Sequence, residues 1–461
     1  MESFNENSDQ FYLEKASIPK AIMHLSVPMM LGMSVSVIYN IINAFFIGLT
    51  HNTAMLSAIT FGLPVMVLLI ALGSIWGVGG GTYISRLLGA KETEKIKKVS
   101  AFVLYGSMLF GAMVSTLCII FINPITNILG ADPEAFQATK SYILFLFIGA
   151  PFLIANFTLE QIVRGEGAAK ESMFGMLIGT VANLIFDVLL ILVLNLNVVG
   201  AALSFAISNL FSLIYYVWHL QKNSENIDLS IKYFSWDKKI IKEVFSIGIS
   251  DFLMTSFMIV SSLMLNNYAV NYGDDVIAAF GVSLRIVQLP EFLCMGLFMG
   301  ITPLLGYSHG AKNKKRLASA MKQTAIAIGL IVCVFSSLVY VFRTDVLKLF
   351  TLNESLIEIG IYILSVMLIS TIFNGFTGLI TSYFQATGKA KKAIIMSISQ
   401  GTLFIPTIII ANSVLGLHGI IFSMPIAEFL TFILGILLYF YKRNVDSDIE
   451  MKGISISNLE V

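Results

Sequence analysis

The sequence predicts an all-α integral membrane protein of twelve transmembrane helices, arranged as two parallel six-helix repeats. Three observations carry this expectation. Only 12% of the 461 residues are charged while 56% are hydrophobic, with a mean hydropathy of +0.83. A water-soluble chain needs about 25% charged residues to cover its surface, so most of this surface must face lipid. Second, twelve apolar stretches of about 20 residues or more alternate with polar clusters. Third, short motifs in the first half recur in the second at a nearly constant offset.

The first six stretches are 20–49, 54–85, 99–122, 137–160, 171–194 and 198–220. The second six are 240–270, 276–307, 318–342, 357–384, 392–412 and 417–441. All should be helices, because backbone polar groups cannot go unpaired in hydrocarbon and no stretch alternates as a membrane β-barrel strand does. The first follows a polar tail without signal-peptide features, so it is expected to be retained. It contains Pro28, which lacks an amide donor and loosens the helix one turn earlier. The second holds Gly79-Gly80-Gly81; with no GK[ST] after it, this reads as close helix packing rather than a phosphate loop. The fourth ends in Glu160 and Arg164, four apart and spaced for an ion pair.

The fifth stretch carries Asp187, 17 residues beyond Lys170, which is roughly 25 Å along a helix. Asn183 lies one turn earlier on the same face, within reach to donate to the carboxylate. Asn43 and Tyr39, near the outer end of the first helix, sit at a similar depth, and Asn156 of the fourth can face the same cluster. Burial disfavours a charge, so a carboxyl among neutral partners can load and release a proton. The eighth stretch places Glu291 near the midplane behind Pro290, a second hinge candidate. Met295 and Met299 follow on one face, giving a carboxylate above polarizable thioethers that suits flat organic cations. Arg285 is the lone cation at intermediate depth and is expected to neutralise a carboxylate or contact substrate. Asp251 and Glu428 are further acids within spans.

Basic residues set the expected orientation. Of 29, 25 lie in segments 86–98, 164–170, 221–242, 308–322 and 389–392 and in the two terminal regions, against three in the opposite connections. By the positive-inside rule these segments and both termini are cytoplasmic, and the membrane is the plasma membrane. The repeat appears in Gly89-Ala90-Lys91 against Gly310-Ala311-Lys312, and in the segments starting at Arg164 and Gln385, both offset by 221. Gly200 to Asn209 matches Gly419 to Glu428 at 219, with Ser204 and Ser423 in register. An even number of spans per copy makes the copies parallel. The expected domains are a cytoplasmic tail 1–19, an N lobe 20–220, a cytoplasmic linker 221–237, a C lobe 238–442 and a cytoplasmic tail 443–461.

Several classes are excluded. With 29 basic against 28 acidic residues there is no field for nucleic acid. Cys118, Cys294 and Cys333 stand singly, without disulfide or zinc spacing. The histidines lie near span ends, and none is assigned as a ligand. No Walker-type site or catalytic constellation is present, so neither a primary pump nor an enzyme is expected, and no cofactor.

Pro28, the run Ile38-Tyr39-Asn40-Ile41-Ile42-Asn43-Ala44-Phe45-Phe46-Ile47-Gly48, Gly89-Ala90, Arg164-Gly165-Glu166-Gly167, Asn183-Leu184-Ile185-Phe186-Asp187 and Pro290-Glu291-Phe292-Leu293 together resemble the multidrug and toxic compound extrusion (MATE) family over about residues 20–441. The resemblance implies a V-shaped pair of bundles that exports amphipathic, often cationic drugs and dyes in exchange for protons or sodium ions. Many relatives of this branch carry an aspartate where this chain has Asn43, which leaves Asp187 as the carboxylate of the first repeat. A flippase for lipid-linked saccharides is the alternative reading. Its pyrophosphate cargo calls for several intramembrane Arg or Lys, whereas here one basic residue faces Asp187, Asp251, Glu291 and Glu428. The expected partners are therefore small cationic molecules and the bilayer, with the chain a monomer.

Overall fold

The structure is a computed structural model that describes the backbone of residues 8–49, 53–130, 133, 135–351 and 353–451, and the side chains of those residues other than 36–41, 43–49, 53–54 and 442–451. Among these, twelve helices are long and apolar enough to cross a membrane. They are α1 (Ile18–Leu49), α2 (Thr53–Ala90), α3 (Thr93–Ile120), α4 (Phe136–Gly165), α5 (Ala169–Asp187), α6 (Asn197–Asn223), α7 (Lys238–Val270), α8 (Asp274–Gly310), α9 (Lys314–Val341), α10 (Glu354–Ala386), α11 (Ala390–Leu415) and α12 (Leu417–Met451). Each expected span falls on one of them. Several run well past the apolar stretch; α2 has 38 residues, about 57 Å at 1.5 Å per residue against a hydrocarbon core of about 30 Å.

Local sequence explains the helix ends. Asp237, Asn313 and Asn353 cap α7, α9 and α10, each accepting from a backbone N–H of the first turn. After α4 and α10 the chain turns at Gly167 (φ +100°) and Gly388 (φ +71°), a region open to glycine without a Cβ penalty. After α2 and α8 it turns at Lys91 (φ 59°) and Lys312 (φ 55°), where a side chain is tolerated at some strain. Phe121 (φ −98°, ψ 22°) and Phe342 (φ −98°, ψ 16°) break α3 and α9 and start short helices, Ile122–Ile128 and Arg343–Lys348. The members of each of these pairs are 221 residues apart.

Two features depart from expectation. A π-helical segment, Val188–Val193, continues α5 directly after Asp187. The tail expected over 1–19 holds a short helix, Asp9–Glu14, and α1 begins at Ile18. Leu13 of that short helix is fully buried, and Arg316 at the start of α9 donates from Nε, Nη1 and Nη2 to the carbonyls of Leu13, Ala16 and Tyr12 at 2.8, 2.7 and 2.8 Å. One guanidinium thus satisfies carbonyls that the end of a helix leaves unpaired.

The segment between α6 and α7 is also held down. Ile227 and Leu229 are buried, and Tyr105 of α3 donates to the Leu229 carbonyl at 2.9 Å. Phe234 and Trp236 pack on Phe102 with ring centroids 6.2 and 5.8 Å away.

The first six helices meet the last six along a seam where side chains do not fit. A Cβ added at Gly79 would stand 2.0 Å from the Val244 carbonyl oxygen, and one at Gly248 1.9 Å from that of Ile75, so α2 and α7 touch backbone to backbone. At the ends of α2 and α8, a Cβ on Gly89 would be 2.1 Å from the Tyr307 oxygen and one on Gly310 2.0 Å from that of Arg86. Small residues permit this approach, as they do where membrane helices cross closely. The buried residues of α7 cluster at Ile240, Val244, Ile247, Gly248 and Ser250, with none again until Leu265. The seam is therefore tight at the end carrying the two GAK turns and loosens away from it.

Candidate functional site

Asp187 ends α5 with its side chain buried, and Asn183 one turn earlier is buried too. The Asn183 amide donates to Ser208 Oγ of α6 at 3.3 Å. Ser204 of α6 lies within hydrogen-bond reach of the Asp187 carboxylate, although its hydroxyl is set on the Gly200 carbonyl at 2.9 Å. Tyr142 of α4 is close enough to sense the carboxylate's charge. Asp187 Oδ2 has no partner. The carboxylate therefore stands among hydroxyls and an amide contributed by α4, α5 and α6.

The expected companions of Asp187 are partly rearranged. Asn156 turns to α6 and donates to Asn209 Oδ1 at 2.9 Å. The bond is one-sided, since the Asn209 amide donates to the Phe205 carbonyl of its own helix at 2.7 Å and Asn156 Oδ1 has no partner. The side chains of Tyr39 and Asn43 lie outside the described residues. The serines Ser204 and Ser208 were not assigned to the site from sequence, though Ser204 stood out as the residue matched by Ser423 in the repeat.

The second set of polar groups lies on α8, α10, α11 and α12. Glu291 is half-buried, Met295 is exposed, and Met299 is half-buried on the same face. Pro290 is buried within α8 and Pro28 stands within α1, both inside unbroken helices. Glu428 of α12 is buried and accepts from Gln400 Nε2 of α11 at 3.0 Å and from Asn374 Nδ2 of α10 at 3.4 Å. Glu291 and Glu428 are close enough to interact electrostatically. Arg285 corrects an expectation: it is exposed and forms no ion pair among the described residues. It lies six residues before Glu291, one and two-thirds turns along α8, which rotates it well away from the carboxylate.

At the tight end of the seam, polar contacts join the two sets of helices. Arg86 of α2 pairs with Glu243 of α7 at 2.8 Å. Ser26 Oγ of α1 donates to the Leu297 carbonyl of α8 at 3.0 Å. Asp251 of α7 accepts from Gln385 at 3.3 Å and has Ser74 of α2 within hydrogen-bond reach. The expected pair of Glu160 and Arg164 forms at 3.2 Å with both side chains buried, and the guanidinium also interacts with Asp251 across the seam.

Twelve apolar helices enclosing Asp187 and Glu428, whose hydrogen-bonding neighbours are neutral, describe a multi-pass membrane transporter rather than an enzyme. The chain belongs to the MatE family, whose profile matches residues 28–189 and again 247–410. It is 42% identical to the multidrug export protein MepA of Staphylococcus aureus (strain NCTC 8325 / PS 47), covering 94% of this chain and 96% of that one. The corresponding protein of Staphylococcus haemolyticus is 40% identical over the same shares. Among solved structures, an outward-facing multidrug resistance MATE transporter of the MOP superfamily superimposes with a TM-score of 0.88 at 25% identity, covering 97% of this chain and 100% of that one. A MOP superfamily transporter from Pyrococcus furiosus, described as having a binding pocket of reverse polarity, gives 0.87 at 26% identity over 94% of this chain and 97% of that one.

Proposed function

We propose that the chain is a secondary active multidrug exporter. It moves amphipathic, mostly cationic compounds out of the cell in exchange for an inward ion, by alternating access between an N lobe over 20–220 and a C lobe over 238–442, joined by the linker 221–237. The observation that carries this reading is the 42% identity to a multidrug export protein over nearly the whole of both chains.

The two-lobe arrangement is supported by the family profile matching twice, with starts at 28 and 247, and by the recurrence of the same backbone turns at an offset of 221 residues. The positive-inside count puts the GAK turns and both termini in the cytoplasm of a plasma-membrane protein. On that orientation the tight end of the seam is the inner one, and the conformation is open to the outside. The chain works as a monomer and needs no cofactor.

Asp187 is the ion-coupling residue in this reading, with Asn183, Asn43, Tyr39 and Asn156 in its surroundings. A carboxylate among hydroxyls and amides favours a proton over sodium, since a metal cation wants several hard oxygens. Glu291, Met295 and Met299 take the cargo, and Arg285 stands at the edge of their helix. Pro28 and Pro290 supply the points at which α1 and α8 yield. The flippase alternative calls for several cations in the cavity, whereas Arg285 of α8 is exposed and forms no ion pair among the described residues.

The test is efflux of a fluorescent cationic dye from proteoliposomes of the purified protein under an imposed pH gradient and, separately, a sodium gradient. Export driven by the pH gradient and lost in Asp187→Asn, with dye binding retained, is expected. Unchanged export in that variant would move the coupling site elsewhere, and no export under either gradient would remove the antiport reading.

A further inference from the structure

The segment 224–237 between α6 and α7, expected from its polar sequence to lie in water, runs instead along a lipid-facing stripe of α3. Phe102, Tyr105, Leu109 and Met113 of α3 follow one another at spacings of three and four and so share one face. Leu109 and Met113 are 63% and 51% exposed, as the outside of a membrane helix is, whereas Phe102, nearest the start of α3, is fully buried. The segment is what covers it. Phe234 and Trp236 pack on the Phe102 ring, Ser100 Oγ donates to the Asp228 carbonyl at 3.2 Å, and Tyr105 holds the Leu229 carbonyl at 2.9 Å. The apolar stretch of α3 begins at residue 99, so these anchoring residues stand within about 9 Å of its end. That is the depth at which hydrocarbon gives way to headgroups.

At that depth the segment turns apolar side chains outward: Ile231 is 70% exposed and Trp236 65%. Two such side chains on one short segment are a liability in water, while an indole, with an apolar body and a polar N–H, is at home at a membrane boundary. The charges around them are unequally engaged. Asp228 is met by Lys232 at 3.9 Å and by the Ser230 N–H at 2.8 Å, and Asp237 accepts from the Lys239 N–H at the start of α7. Lys98, Lys238 and Lys239 are exposed and form no ion pair among the described residues. We infer that this segment is a binding site for anionic phospholipid of the adjacent leaflet. Ile231 and Trp236 enter the upper acyl chains, and Lys98, Lys238 and Lys239 hold the negatively charged headgroups. The inference draws on the membrane spans alone and depends on neither the exporter reading nor the orientation of the chain.

The experiment follows the fluorescence of Trp236 in the full-length protein, reconstituted in phosphatidylcholine vesicles that carry a fraction of lipid brominated on its acyl chains. The brominated lipid is phosphatidylglycerol in one series and phosphatidylcholine in the other, and bromine quenches an indole only on contact. The chain has three tryptophans, so Trp76→Phe with Trp218→Phe isolates Trp236. The difference between wild type and Trp236→Phe gives the same reading without those two substitutions. Half-quenching should need a roughly fivefold lower mole fraction of brominated phosphatidylglycerol than of brominated phosphatidylcholine, the gain that one lysine contributes at an anionic surface. Lys238→Gln with Lys239→Gln should bring the two series together while quenching by brominated phosphatidylcholine stays as it was, which excludes a folding defect as the cause. Quenching by aqueous iodide but by neither brominated lipid would put the segment in water and overturn the inference. So would equal quenching by the two lipids in the wild type, or a preference for phosphatidylglycerol that survives the double substitution.

Discussion

Glu166 follows the last residue of α4, outside the membrane spans, and accepts a short hydrogen bond from Ser224 at the end of α6. Burial pushes its carboxyl up to about 7 from an ordinary 4.5, helped by the nearby charges of Asp9 and Glu225 and opposed by the Ser224 bond. Between those values the folded chain keeps a proton that the unfolded chain has lost, so stability declines as pH rises from about 4.5 to about 7. Above that window the charged form costs about 3 kcal/mol. Glu166→Gln keeps the shape and removes the charge. Its thermal midpoint should exceed the wild type's at pH 8 and match it near pH 4.5, and an equal shift at both would point to the Ser224 contact instead of the charge. For the proposed coupling residue, Asn183→Ala should shift the pH optimum of export, by altering the polar surroundings of Asp187. An unchanged optimum would remove Asn183 from the coupling site.

At the scale of helices, the glycine seam makes a sharper demand than any single polar contact. Gly248 leaves no room for a side chain against α2, whereas a Cβ at Gly281 of α8 meets nothing within 4 Å. Gly248→Val should therefore lower stability by about 1–3 kcal/mol, the usual cost of overpacking, while Gly281→Ala should not. Thermal melting of the two variants in the same detergent checks this, and similar midpoints would mean that the seam is not held shut. The glycine triplet Gly79-Gly80-Gly81 read as close packing from the sequence, and all three now lie against a neighbour. Its partners Val244, Val103 and Gln161 were not legible, because apolar periodicity marks which residues avoid water but not which of eleven other helices they meet. Nor was the π segment after Asp187, since one extra residue per turn leaves no composition signal.

For the molecule as a whole, charge and apolar runs placed all twelve helices because the bilayer imposes length and composition so strictly. The candidate sites were legible as acids where acids are costly, but their partners were not. Glu428 drew attention as a mid-helix acid, while Gln400 and Asn374, which hold it, are amides that a membrane helix tolerates without comment. Orientation is tested by single cysteines in a background lacking Cys118, Cys294 and Cys333. One at Asn353 should react with an impermeant thiol reagent applied to intact cells, and one at Asn313 should not. The opposite pattern would invert the topology.

The clasp of Arg316 on the carbonyls of Tyr12, Leu13 and Ala16 bears on how the protein can be handled in the laboratory. Cargo fused ahead of residue 9 hangs from a peptide whose far end is gripped by α9, so a bulky or charged fusion there pulls on that clasp. Purification handles and fluorescent reporters belong at the other terminus. A reporter in the Asp9–Glu14 helix, by contrast, is attached to the part of the chain that Arg316 holds against α9, and reports on whether that clasp is closed.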